Sequence, residues 1–136
     1  MATDPVCELI RTPQLTDRAP YAYAAVAHGV SRLVFTAGAC PLGADGEIVA
    51  PGDVATQAEQ VMANLVTALG AAGAGLTDVV KTTVYVASPH RDDLVAAWDV
   101  VSRAFGAHDA PSTLLGVSVL GYPDQLVEVE AVAALR

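Results

Sequence analysis

The sequence predicts an α+β domain in which two helices pack on one face of a mixed β-sheet. Apolar residues recur at helical spacing in two separate segments of the 136-residue chain. Short runs rich in Val, Thr and Tyr surround these segments and favour β-strands. The predicted order is ββ(β)αβαββ, with residues 1–136 as one domain, and helices on one sheet face bury both apolar surfaces most simply.

The first part of the chain is predicted to form short strands and turns. Residues 1–20 contain three prolines and are expected to form a lead-in strand and a loop. The β-prone run 21–27 and, after a turn, the run 33–37 are predicted to be the two arms of a hairpin. Another turn signal at 43–46 precedes the apolar pair Ile48-Val49.

The first helix is predicted to begin after Asp53, a residue type that caps helix N-termini well. Gly73 is expected to end it, because glycine tolerates the left-handed conformation of a helix C-terminus. One helical face carries the apolar residues Val54, Ala58, Val61, Leu65, Leu69 and Ala72.

The second half is predicted to hold a strand, a helix and two further strands. Residues 79–87 form the strand, and Ser88 with Pro89 predicts a helix start, with serine as the N-cap and proline at the first helical position. The helical face that follows carries Leu94, Trp98, Val101 and Phe105. The last two predicted strands are residues 113–120 and 126–134.

Composition disfavours some classes of function and indicates where the protein is expected to be found. The net charge is −8, which disfavours nucleic-acid binding because that binding requires clustered Lys and Arg. A chain that is 53% hydrophobic is expected to hide part of its surface in an oligomer. No signal peptide or membrane span is predicted. Cys7 and Cys40 have no metal or redox spacing, so free thiols and a cytoplasmic location are expected.

Several short sequence motifs of this chain resemble those of the Rid family, also known as YjgF or L-PSP proteins. They are Ala19-Pro20-Tyr21, Thr36-Ala37-Gly38-Ala39-Cys40-Pro41, Asp53-Val54-Ala55-Thr56-Gln57-Ala58, Asn64-Leu65, Asp78-Val79-Val80-Lys81-Thr82-Thr83-Val84-Tyr85-Val86 and Leu126-Val127-Glu128-Val129-Glu130-Ala131-Val132-Ala133. The resemblance implies a chorismate-mutase-like fold and a homotrimer with clefts between adjacent subunits. It also implies an activity on reactive enamines and imines, such as 2-aminoacrylate, which similar proteins hydrolyse to keto acids and ammonia.

Three departures from the family pattern make the expected cleft more apolar. The arginine that grips the substrate carboxylate in similar proteins falls on Ser112, or on its neighbour Pro111, and neither residue is charged. The family's Ser-Gly-Gln word is replaced by Ala37-Gly38-Ala39, and a position that is often Asn is Trp98. The sequence therefore predicts a protein that is not a standard 2-aminoacrylate deaminase.

The candidate catalytic residues are Glu128 and Tyr21. Glu128 and Glu130 alternate with apolar residues and so share one strand face. The resemblance implies that Glu128 activates water as a general acid or base, while Glu130 is expected to be mainly structural. The alternative for Glu128, which the resemblance disfavours, is a solvated or salt-bridged carboxylate, and the alternative for Tyr21 is an interface residue at the trimer seam.

The candidate substrate-binding residues are Ser112, Trp98, Ala39, Cys40 and Leu114. Trp98 also fits a plain packing role on its helix, and Cys40 is interpreted as a small apolar residue because no partner suggests a thiolate. His28, His90 and His108 have no metal-ligand spacing, and neither a metal nor a cofactor is expected.

Two functions remain open from the sequence. One is an enzyme that hydrolyses, tautomerises, dehydrates or cyclises an imine, an enamine or a related carbonyl compound, with specialised biosynthesis as a conceivable setting. The other is a non-catalytic trimer that binds a small ligand or a partner protein. The acidic balance disfavours the ribonuclease activity attached to the family name.

Overall fold

The computed structural model describes residues 6–136. Its helices and strands follow the predicted order. They are β1 (Cys7–Ile10), β2 (Ala24–Ala27), β3 (Arg32–Phe35), α1 (Val54–Ala71), a single 3₁₀ turn (Leu76–Asp78), β4 (Val79–Val86), α2 (Arg91–Phe105), β5 (Ser112–Gly116) and β6 (Val127–Leu135).

The main sheet has four strands in the order β3-β6-β4-β5. Strands β4 and β5 are parallel and are connected through α2, whereas β6 is antiparallel to both β3 and β4. Both helices lie on the same face of this sheet, where Val61 and Leu65 of α1 are fully buried with Val84 and Val129. The predicted mixed sheet with two helices on one face is confirmed.

The predicted hairpin between residues 21–27 and 33–37 is wrong. Strand β2 pairs with β1 in a separate two-stranded ribbon, with Cys7 opposite Ala27. Strand β3 pairs with β6, with Phe35 opposite Val132. The turn between β2 and β3, with Gly29 at a φ of 62°, leads the chain from one sheet to the other. Strand periodicity predicts the strands but not their partners.

The sheet face that carries no helix is called the open face below. Its residues include Lys81, Thr83 and Tyr85 of β4, together with Glu128 and Glu130 of β6. Apolar side chains stand on the same face, and Leu33 and Phe35 are 54% and 71% exposed. This mixture of polar and exposed apolar groups is typical of a surface that another protein covers.

The helix termini follow the prediction at α1 and depart from it at α2. Asp53 caps α1, because its carboxylate accepts a hydrogen bond from the Thr56 N–H at 3.0 Å. Helix α2 begins at Arg91 instead of Pro89, since the Ser88 hydroxyl accepts from the His90 N–H and donates to Asp93. Neither α1 nor α2, the helices of the described chain, is long and apolar enough to cross a membrane.

Candidate functional site

Glu128 is held at one end of the open face by two hydrogen-bond donors. Its Oε1 accepts from the Gln125 amide at 3.1 Å and from the Cys40 thiol at 3.3 Å. The side chain is half-buried and points away from the helices, on the face opposite Val127 and Val129. The carboxylate therefore has a fixed orientation in the described chain.

Gly38 makes room for this carboxylate. A Cβ atom added to Gly38 would lie 2.3 Å from Glu128 Oε2 and 2.5 Å from the carboxyl carbon. Any side chain at this position would force the carboxylate to move. Gly38, Cys40, Gln125 and Glu128 are called the Glu128 corner below.

Two buried glutamines, which the sequence interpretation did not single out as site residues, build the corner. Gln125 is 4% exposed, and its amide oxygen accepts from the Tyr122 N–H while its nitrogen donates to Val127 and Glu128. Gln57 on α1 is fully buried; it donates to the Asp124 carbonyl and accepts from the Leu126 N–H. An amide side chain on the apolar face of a predicted helix is the signal that points to such a role.

The segment that carries Cys40 is fixed to α1 by Asn64. The Asn64 amide donates to the Cys40 and Leu42 carbonyls, both at 2.9 Å. Ala39 pairs with Val129 in an isolated bridge. Ala39 and Cys40 line an open groove of about 490 Å³ beside α1.

The Cys40 thiol is a hydrogen-bond donor to Glu128. Burial raises the pKa of its thiol to about 11, and the neighbouring Glu128 carboxylate contributes in the same direction. The thiol therefore keeps its proton at neutral pH and donates a hydrogen bond to Glu128. This agrees with the interpretation that Cys40 is not a thiolate nucleophile.

The other candidate residues meet at the outer edge of the sheet. Tyr21 and Trp98 contact each other edge to face, with ring centroids 6.2 Å apart. Tyr21 also contacts Tyr23 at the same centroid distance. An open groove of about 510 Å³ at this edge, called the Tyr21 groove below, is lined by Pro20, Tyr21, Trp98, Ser112, Thr113 and Leu114.

Ser112 and Leu114 point to the helix side of the sheet, because they pair with the buried Thr82 and Val84 of β4. Glu128 lies on the opposite face. Within one chain the candidates thus form two sets, since the Tyr21 groove and the groove at Ala39 share no lining residue. The side chains of β5 that reach the open face are those of Thr113 and Leu115, which pair with Thr83 and Tyr85 of β4. The Thr113 hydroxyl accepts from the Lys81 ammonium at 2.7 Å.

The histidines have structural roles. His108 is half-buried, and its ring nitrogen contacts the Val79 carbonyl at 2.8 Å. His28 contacts Glu8 on the surface. Within residues 6–136, no three His, Cys, Asp or Glu side chains are grouped so that they could hold a metal ion.

Comparisons with known proteins identify the family and the fold. The family model described as Endoribonuclease L-PSP matches residues 13–135. A RutC family protein of Pyrococcus abyssi is 38% identical over 105 residues, which are 76% of this chain and 80% of the relative. The 2-iminobutanoate/2-iminopropanoate deaminase of Escherichia coli is 33% identical over 126 residues, covering 89% of this chain and 95% of the relative. A Rid-family crystal structure from Yersinia pestis superposes with a TM-score of 0.88 at 31% identity, covering 96% and 99% of the two chains.

Proposed function

We propose, from the premise that this chain belongs to the endoribonuclease L-PSP family, that it is an enzyme acting on an imine, an enamine or a related carbonyl compound. Its relatives include an imine deaminase. In this proposal Glu128 is the general acid or base, and Tyr21 edges the cleft and hydrogen-bonds or shields the substrate. The fixed carboxylate of the Glu128 corner is the observation that carries the proposal.

The active form in this proposal is a homotrimer with its clefts between subunits. The Glu128 corner lies on interior strand β6, whereas the Tyr21 groove lies at the β5 edge of the sheet and shares no lining residue with the groove beside the corner, so a single chain does not join them. A cleft between two subunits brings the corner of one chain to the groove of the next. The exposed Leu33 and Phe35 on the open face support such an assembly.

Hydrolysis of an imine needs two protons to move from oxygen to nitrogen, and one positioned carboxylate can carry both in turn. Glu128 takes a proton from water while the water oxygen bonds to the imine carbon and the C=N electron pair moves to nitrogen, and it passes this proton to nitrogen to give a carbinolamine. Glu128 then takes the hydroxyl proton and delivers it to nitrogen as the C=O bond forms and the C–N bond breaks, which yields a carbonyl group and ammonia, or an amine when the nitrogen is substituted. A general acid or base of this kind contributes a factor of about 10²–10⁴ in rate.

The substrate in this proposal is not the carboxylate compound 2-aminoacrylate. Ser112 and Pro111 offer no positive charge, and the groove is formed by the rings of Tyr21 and Trp98 with Leu114. A carboxylate that leaves water for such a surface needs a charged partner. A neutral imine or enamine needs none.

The test compares two carboxylates on the same strand face. Glu128→Gln should lower kcat/KM on a neutral cyclic imine by about 10²–10⁴, while Glu130→Gln, whose carboxylate accepts from the Tyr85 hydroxyl, should lower it by less than tenfold. Light scattering checks that both variants keep the same assembly. Equal rates for Glu128→Gln and the unmodified protein would refute the role of Glu128, and a defect in Tyr21→Phe alone would move catalysis to binding and orientation.

The second candidate function is a non-catalytic trimer that binds a small ligand or a partner protein. The three apolar replacements in the expected cleft favour it, because they also fit a site that has lost its catalysis. Saturable ligand binding without turnover of any imine in a panel would support this alternative. The proposal includes a cytoplasmic location, supported by the two free cysteines.

A further inference from the structure

We propose that Ser112 donates a hydrogen bond to the carbonyl or imine group of a small, neutral ligand held in an apolar pocket behind Trp98. The inference rests on the proposed function for its claim that this ligand is a substrate. The pocket has a volume of about 120 Å³ and lies between α2 and β5. Its walls include Thr82, Trp98, Val101, Phe105, Ala110 and Ser112.

The direction of one hydrogen bond makes Ser112 a donor toward the pocket. The hydroxyls of Thr82 and Ser112 are 2.8 Å apart. Thr82 is 2% exposed, and a buried hydroxyl hydrogen without an acceptor is costly. Ser112 Oγ is the only acceptor that residues 6–136 offer to Thr82, so Thr82 must donate.

The Ser112 hydrogen is consequently left without an acceptor among the described residues. Ser112 lines both the pocket and the Tyr21 groove, so its hydroxyl is available to a ligand in either. A hydroxyl that already accepts one hydrogen bond becomes a better donor, since hydrogen-bonded chains polarise one another. The missing partner is an acceptor atom, such as a carbonyl oxygen or an imine nitrogen.

Charge at the pocket excludes an anionic ligand. Asp109 is the charged residue of the lining, and its carboxylate binds the Arg11 guanidinium with two contacts, at 2.5 and 3.2 Å. The hydrogen bond from Arg11 lowers the pKa of Asp109, so this carboxylate stays charged at neutral pH. With Arg11 already engaged, a ligand carboxylate would find repulsion and no free cation.

The volume limits the buried part of the ligand to a small group. An apolar cavity of about 150 Å³ holds a benzene molecule, and this pocket of about 120 Å³ is slightly smaller. It shares Pro20, Trp98 and Ser112 with the Tyr21 groove, so part of a ligand can extend into that groove. Cyclopentanone, with six heavy atoms and one carbonyl oxygen, is a suitable probe.

The experiment follows the only tryptophan of the chain. Titration of the ¹⁵N-labelled protein with cyclopentanone should shift the single indole cross-peak of Trp98 in a saturable way. Ser112→Ala should weaken binding about threefold to tenfold, the usual worth of one neutral hydrogen bond. The same titration with 2-oxobutanoate should give binding at least tenfold weaker than with cyclopentanone.

A neighbouring pair of threonines provides the matched control. Thr82→Val removes the hydroxyl that orients Ser112 and should weaken binding, whereas Thr83→Val changes the next residue, on the opposite sheet face, and should not. If Ser112→Ala alone folds poorly, the double variant Thr82→Val/Ser112→Ala removes both hydroxyls and leaves neither unpaired. This double variant should show the same weakening as Ser112→Ala.

Three results would overturn the inference: no saturable shift in the unmodified protein, equal affinity in Ser112→Ala, or equal affinity for 2-oxobutanoate. Its failure is distinguishable from failure of the proposed function. The titration measures binding alone, whereas the proposed function is tested by the turnover of Glu128→Gln. Binding that depends on Ser112, without any turnover, would keep this inference and refute the proposed catalysis.

Discussion

The Glu128 corner and the Tyr21 groove are built by different means. In the corner, hydrogen bonds from a glutamine and a cysteine fix one carboxylate, and a further buried glutamine fixes the turn that holds them. In the groove, aromatic rings and Leu114 form the walls, and the hydroxyls of Ser112 and Thr113 are polar groups of the lining. Hydrogen-bonded networks fix the orientation of a side chain, whereas contacts between aromatic rings define the shape and polarity of a groove.

We therefore expect the Glu128 corner to serve proton transfer and the Tyr21 groove to serve ligand selection. A group that moves protons must be held within hydrogen-bond distance of its target, which the corner achieves. A surface that selects neutral ligands needs size and low polarity, which the groove offers. Changes to the corner should therefore affect turnover most, and changes to the groove should affect ligand choice.

Among changes to the residues that surround Glu128, the largest expected effect on turnover comes from Gly38→Ala. The new Cβ would lie 2.3 Å from Glu128 Oε2, so the carboxylate must leave its position. A misplacement of about 1 Å in a catalytic group costs about 10²-fold in rate, and kcat/KM should fall by about that factor. Gly121→Ala, where an added Cβ meets nothing within 4 Å, is the control. Similar rates in both variants would contradict the fixed-carboxylate interpretation.

A smaller effect, seen first in stability, is expected from Gln57→Ala. The change leaves the Leu126 N–H and the Asp124 carbonyl without their partner. Each unpaired buried group costs about 1–3 kcal/mol, so the free energy of unfolding should fall by about 3 kcal/mol in urea titrations. Gln60→Ala breaks one contact, to Asn64, and should cost less than about 1.5 kcal/mol. Equal losses would show that the turn is held by other contacts.

The last prediction concerns the reactivity of the Cys40 thiol, which tests its contact with Glu128 without altering the fold. A pKa of about 11, against about 8.5 for a free cysteine, should slow alkylation by iodoacetamide about 10²-fold at neutral pH in a Cys7→Ala background. Glu128→Gln removes the negative charge that helps to raise this pKa, so alkylation should become faster. The pH dependence of the rate measures both effects. A Cys40 that reacts like a free thiol would contradict the buried contact with Glu128.

The sequence predicts the elements of this fold better than their arrangement. The cap at Asp53 and the strands around Val84 and Val129 follow from local chemistry and periodicity, and the structure confirms them. The partner of β3 was missed, because pairing between Phe35 and Val132 depends on residues far apart in the chain. Local patterns carry no information about such contacts.

In the candidate site, too, the sequence predicts local features better than long-range contacts. The sequence names Glu128 and Cys40 as separate candidates, but their contact, and the hydrogen bond between Gln57 and a residue 69 positions away, depend on the fold. The face on which Ser112 lies depends on strand register, and a shift of one residue reverses every side chain. The predicted strand began at Thr113, whereas β5 begins at Ser112, so the sequence alone did not separate the two hydroxyls.

Strand β6 comes after the other five strands in the chain but lies in the interior of the main sheet, between β3 and β4. During synthesis, β3, β4 and β5 therefore leave the ribosome before the strand that joins β3 to β4 exists. Pairing Arg32 with Leu135 closes a long loop, which slows folding and leaves strand edges open in the meantime. Glu128 arrives on that same strand, so the proposed catalytic group takes its place only when the sheet itself is completed.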